Sequence, residues 1–116
     1  MLKSDPLRLM FERSYFQRDH NVLAIYPTYR MARDEFGLAF DDVREQLPTS
    51  LVAKISDRII QFPEGNRLQF MHMSVEMDMH RLMGWQLVDY FVHESMRQMW
   101  WYDRMIQMLA CRVRSK

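Results

Sequence analysis

"VLAIYPTYRMARDEF", residues 22 to 36, sets two periodicities side by side. Val22 to Tyr26 are continuously apolar and are closed by Pro27. A short apolar run of this kind reads as a strand covered on both faces, and proline, with no N–H to donate, stops it. Thr28 is a good helix cap. Behind it Tyr29, Ala32, Phe36, Ala39, Phe40, Val43 and Leu47 recur at helical spacing until Pro48 ends the run. A buried strand followed by an amphipathic helix is the opening unit of a sheet with parallel strands.

The same reading extends in both directions. Upstream, Ser4 before Asp5-Pro6 marks a helix start, and Leu7, Met10, Phe11 and Tyr15 share one face of a helix expected to end near Asp19-His20-Asn21. Downstream, "RIIQF" and "RLQFMH" flank "PEGN", a hairpin signal, with Ile60, Phe62, Leu68 and Phe70 alternating as strand residues do. "EMDMHRLMG" reads as a turn or short helix ended by Gly84, and "LVDYFV", residues 87 to 92, as a second buried strand. From Ser95 a final helix is expected, with Met96, Met99, Trp100, Ile106, Leu109, Ala110 and Val113 on its apolar face. Arg112, Arg114 and Lys116 lie at its end, where cations suit the helix dipole. The expected fold is α/β, a single domain over 1–116, with a small sheet containing a parallel strand pair and a β-hairpin, flanked by three helices. An all-helical bundle is the alternative.

Composition narrows the function classes. The 16 basic and 15 acidic residues nearly cancel, so net charge makes no case for broad nucleic-acid or membrane binding. No apolar run approaches the ~20 residues that cross a bilayer, and the charged N-terminal stretch carries no signal-peptide core. The single cysteine, Cys111, excludes an internal disulfide and fits a reducing cytoplasm, the host's if the protein is viral. Twelve methionines, eight of them between Met71 and Met105, suit irregular packing or a pliable contact surface.

In this order the segments resemble the central part of the ATPase domain of phage terminase large subunits, the motors that package viral DNA. "VLAIYPTYRMARDEF" is similar to the strand, "PTxxQA"-like turn and helix of that family, "RIIQFPEGNRLQF" to the hairpin that follows, and "LMGWQLVDYFVHES" to the next apolar strand, which there closes in Asp-Glu. "LKS", residues 2 to 4, falls where the tail of the phosphate loop would stand. The resemblance implies that Glu94 matches the catalytic glutamate and His93 the Mg²⁺-associated aspartate. Lys3 and Ser4 match the last two phosphate-loop residues, and Arg30 and Arg33 lie where the family more often has glutamine. It also implies that strands 22–26 and 87–92 are adjacent, with an uncovered edge on the second that invites pairing with another chain.

The residues themselves argue against hydrolysis. Only Met1 and Leu2 precede Lys3, too few for the glycine-rich backbone cradle that holds phosphates. Histidine is a poor ligand for Mg²⁺, which prefers oxygen. No cofactor and no metal are expected, since His72, His80, His93, Glu76 and Asp78 follow no zinc spacing, and Cys111 has no visible base partner. Asp41, Asp42 and Glu35 read as a solvated helix face. Trp100 is expected in the core, whereas Trp101 and Tyr102, with Arg97 and Arg104, mark a candidate interface, because interface cores are rich in Trp, Tyr and Arg. The expected function is protein–protein binding, to a partner or a second copy, by a non-catalytic phage-type protein: a packaging component or a repurposed inhibitor of a host factor. The alternatives are a helical interaction protein without ATPase ancestry, and an ATPase half-site completed by a partner chain.

Overall fold

A computed structural model describes residues 2–15, 20–46, 52–54, 58–62 and 65–113. The expectations placed on Asp19, Leu47, Pro48, Pro63, Glu64, Arg114 and Lys116 lie outside these residues. The elements are α1 (Asp5–Glu12), β1 (Val22–Tyr26), α2 (Tyr29–Gln46), β2 (Val52–Lys54), β3 (Ile59–Gln61), β4 (Arg67–His72), a 3₁₀ helix (Glu76–Leu82), β5 (Asp89–Val92), a second 3₁₀ helix (Glu94–Gln98) and α3 (Tyr102–Arg112). The strands form one mixed sheet in the order β2-β3-β4-β1-β5. β1 runs parallel to both β4 and β5, and β2-β3-β4 is antiparallel. The fold is therefore α/β and not a helical bundle. The short strand β2 was not foreseen.

β1 is the centre of the molecule, and its five residues are all 0–1% exposed. Val22, Ala24 and Tyr26 enter one cluster with Leu7 and Met10 of α1, Ala32, Phe36 and Ala39 of α2, and Leu68 and Phe70 of β4. Leu23 and Ile25 enter the opposite cluster with Met71, Met73, Met79, Leu82, Met96, Trp101, Met105 and Leu109. Successive strand residues face opposite sides, so a strand covered on both faces has no polar positions to show. Each large aliphatic side chain buried here contributes about 1.5–3 kcal/mol. Methionine fills the irregular side, where two short 3₁₀ helices and α3 replace a long helix.

α1 ends earlier than the spacing suggested. Ser14 is left-handed, with φ 55°. The Tyr15 N–H donates to the Met10 carbonyl at 3.0 Å and the Ser14 N–H to the Phe11 carbonyl at 3.4 Å. This is a Schellman closure with serine in the place usually taken by glycine. The 95–113 segment is likewise not one helix. Met99 is extended, with ψ 131°, and α3 begins only at Tyr102. The break changes the helical phase, which reverses the two tryptophans. Trp101 is 3% exposed and lies in one core cluster with Met105 and Leu109, whereas Trp100 is 75% exposed.

β5 is an edge of the sheet, opposite the β2 edge, but its edge is partly satisfied within the chain. The Leu87 N–H donates to the Arg112 carbonyl at 2.9 Å, in an isolated parallel bridge of Leu87 with Val113. The Tyr90 N–H donates to Asp89 Oδ1 at 2.8 Å. No described helix is long and apolar enough to cross a membrane.

Candidate functional site

Three places were singled out by sequence, and the structure separates them. The first is the start of α1. Ser4 is the N-cap, its Oγ accepting from the Leu7 N–H. The Lys3 N–H lies 2.9 Å from both Asp42 carboxylate oxygens, and the Ser4 N–H donates to Asp42 Oδ2 at 2.8 Å. Asp42 is fully buried, which corrects its reading as a solvated acid. A helix N-terminus attracts an anion, and here an internal carboxylate from α2 takes that position. Lys3 Nζ turns outward to Glu45 at 3.9 Å.

The second is the carboxyl end of the parallel strands, where open α/β sheets commonly bind ligands. Tyr26 and His72 are register partners on β1 and β4. His93 follows Val92, the partner of Ile25. Their rings line up across the sheet on the α2 side: Tyr26 lies 5.9 Å from His93, and Tyr29 caps His72 edge-on at 5.7 Å. The Tyr26 hydroxyl and His72 Nδ1 are buried and find no hydrogen-bond partner among the described residues. Burial, reinforced by the nearby charges of Glu35 and Asp5, pushes the Tyr26 phenol far above its usual range. Burial also raises Glu35, with Asp5 adding to the shift and His93 opposing it. Glu35 is thus half-buried at this site and not on a solvated face.

His93 is committed to local structure. It caps the second 3₁₀ helix, its Nδ1 accepting from the Ser95 N–H at 3.2 Å with Ser95 Oγ at 2.7 Å. In the neutral ring the proton therefore sits on Nε2. Glu94 is exposed, in the first turn of that helix. Among the described residues no three His, Cys, Asp or Glu side chains are gathered so as to hold a metal. Arg33 pairs with its neighbour Asp34 at 3.4 Å, and Arg30 is exposed on α2.

The third place is the surface of α3. Arg104 lies over the Trp100 ring, 5.8 Å from its centre, and pairs with Glu76 Oε1 at 2.5 Å. This joins α3 to the first 3₁₀ helix. Between them runs a groove of about 380 Å³, lined by Glu76, Met77, Met79, His80, Arg104 and Met108. Met77 on its rim is 75% exposed. The groove floor is thioether, its rim carries one ion pair, and an indole projects beside it. Tyr102 is half-buried at the edge of the core and Arg97 is exposed. Of the sequence-derived interface set, Arg104 lines the groove and Trp101 is a core residue. Trp100 and Met77 were missed as surface residues, although Trp101, Met105, Leu109 and Val113 stand four apart and already mark the inner face.

Comparisons with protein families, with curated proteins and with solved structures give no match to this chain.

Proposed function

We propose that the chain is a non-catalytic phage-type protein, similar in layout to the central part of a terminase ATPase core, that works in the cytoplasm by binding another protein. Either a packaging-machine component or a repurposed inhibitor of a host factor fits this description. The observation that carries the reading is the exposed indole of Trp100, held by Arg104 beside a methionine-lined groove. Tryptophan and arginine are among the side chains that dominate contact energies, and methionine is enriched at contact surfaces. The groove suits an amphipathic segment that buries an apolar side chain among Met77, Met79 and Met108 while its flanks meet Glu76 and Arg104.

Two further observations support binding over hydrolysis. The N–H groups that start α1 are already engaged by Asp42, and His93 spends its Nδ1 on Ser95. The parallel pairing of β1 with β5 accords with the terminase-like layout. The test is affinity capture with wild type, with Trp100→Ser combined with Met77→Ser, and with an Arg33→Ser control on α2. A partner retained by wild type and control but lost by the double variant, all three equally folded by circular dichroism, supports the reading. Equal retention by the double variant overturns it.

A further inference from the structure

A second cleft lies at the opposite end of the sheet from the Tyr26–His72–His93 row and shares no residue with the α3 groove. It has a volume of about 410 Å³ and is lined by Asn21, Arg67, Met83, Gly84, Trp85 and Gln86. The backbone builds it from the entry points of β1 and β4 and the turn before β5. The Arg67 N–H donates to Asn21 Oδ1 at 3.2 Å, and the Val88 N–H donates to the Asn21 carbonyl at 2.9 Å. Asn21 thus fastens both neighbours. Gly84, at φ 85°, makes the left-handed turn that presents Trp85.

The chemistry of this wall is one-sided. Arg67 is exposed at the head of β4, and no described carboxylate pairs with it. Asp89, on β5, is instead occupied by Arg13 and Tyr15. With Asn21 Oδ1 engaged by Arg67, the Asn21 amide N–H groups, Gln86 and the Trp85 indole N–H are the remaining side-chain donors among the lining residues. Among the described residues no acid lines the cleft. Trp85 also gives a flat apolar surface, with the exposed Met83 thioether beside it. A planar guanidinium recognises an oxyanion through paired N–H groups, and indole and thioether both favour a flat ring. The volume falls within the range of small-molecule sites.

We propose that this cleft binds a small ligand in which an oxyanion is attached to a flat ring, the anion on Arg67 and the ring against Trp85. Carboxylate and phosphate share the chemistry, and the probes distinguish them. Benzoate and phenyl phosphate are titrated into the ¹⁵N-labelled chain beside acetate, inorganic phosphate and benzyl alcohol, following the Trp85 indole N–H and the Gly84 amide by NMR. The ring-bearing anions are expected to shift both signals saturably, at least tenfold more tightly than acetate, inorganic phosphate or benzyl alcohol. Whichever of benzoate and phenyl phosphate binds more tightly names the anion. Arg67→Gln is expected to weaken that binding tenfold or more and Trp85→Leu several-fold, while Trp100→Ser leaves it unchanged. If a Trp85 variant fails to fold, Arg67→Gln, at an exposed position, still decides. Absence of saturable shifts, benzyl alcohol binding equally, or full affinity in Arg67→Gln would overturn the proposal.

Discussion

The Asp42 carboxylate, on α2, accepts hydrogen bonds from the backbone N–H groups of Lys3 and Ser4 at 2.8–2.9 Å, and it does so fully buried. One side chain thereby ties the start of α1 to the helix that follows β1 and neutralises the N-terminal end of the α1 dipole. Buried donors left without an acceptor cost about 1–3 kcal/mol. Asp42→Ala is expected to lower stability by about 3 kcal/mol, and Asp42→Asn by less, because the amide oxygen still accepts. Urea denaturation of the two variants checks the order; an Ala variant as stable as wild type would contradict it.

Tyr26 gives the opposite expectation. Its ring is buried and stacks on Phe70 at 6.1 Å, but its hydroxyl has no partner among the described residues. Removing an unsatisfied buried hydroxyl while keeping the ring is neutral or stabilising, by up to about 1 kcal/mol. Tyr26→Phe should therefore raise or preserve Tm in a thermal melt. A loss above about 1 kcal/mol would mean that the hydroxyl is hydrogen-bonded.

Acid sensitivity follows from His72. Burial lowers its pKa below the ordinary 6.5, and the charge of Arg81 adds to this, against Asp78. The folded state then binds the proton less readily than the unfolded chain. The stability contribution is complete above pH 6.5 and is lost as pH falls through 6.5 toward the folded value. Asp78 acts further down: burial opposes its ionisation, but the Val75 and Ser74 N–H groups and Arg81 outweigh it and hold the carboxyl below 3.8. Glu35 has the reverse sign, being raised by burial, so its contribution is present at low pH and fades as pH rises through its folded value. Stability measured from pH 7.5 to 5 should decline in wild type and flatten in His72→Gln. An unchanged slope in that variant would contradict the assignment.

The adjacent tryptophans should separate cleanly. Trp101 is part of the core, and Trp101→Ala is expected to cost about 3–5 kcal/mol. Trp100 is exposed, and Trp100→Ser should change stability by no more than about 0.5 kcal/mol. Chemical denaturation of both variants tests this, and comparable losses would place the two rings wrongly.

Much of the fold was legible because β1 and α2 announce themselves locally. Five apolar residues closed by Pro27 read as a strand covered on both faces, which β1 is, and Thr28 does cap α2, its Oγ1 accepting from the Met31 N–H at 3.1 Å. The pairing of Ile59–Gln61 with Arg67–His72 as a hairpin was equally local. What escaped depended on contacts far apart in sequence. Asp42 reads as a surface acid until α1 folds back onto it. Glu35 looks solvated until Asp5 and His93 approach. The Trp100–Trp101 reversal arose from assuming an unbroken helix across Met99, where the chain turns extended. The cleft around Arg67 joins residues from 21 to 86, a combination that no local spacing encodes.

The central claim, that the Trp100 groove is the face that meets a partner, is tested most directly by site-specific photocrosslinking. A benzophenone amino acid is placed at Trp100 and, separately, at Leu38, an exposed position on α2. The account predicts that position 100 crosslinks to a discrete partner polypeptide and that position 38 does not. A crosslink from position 38 with none from position 100 would contradict it.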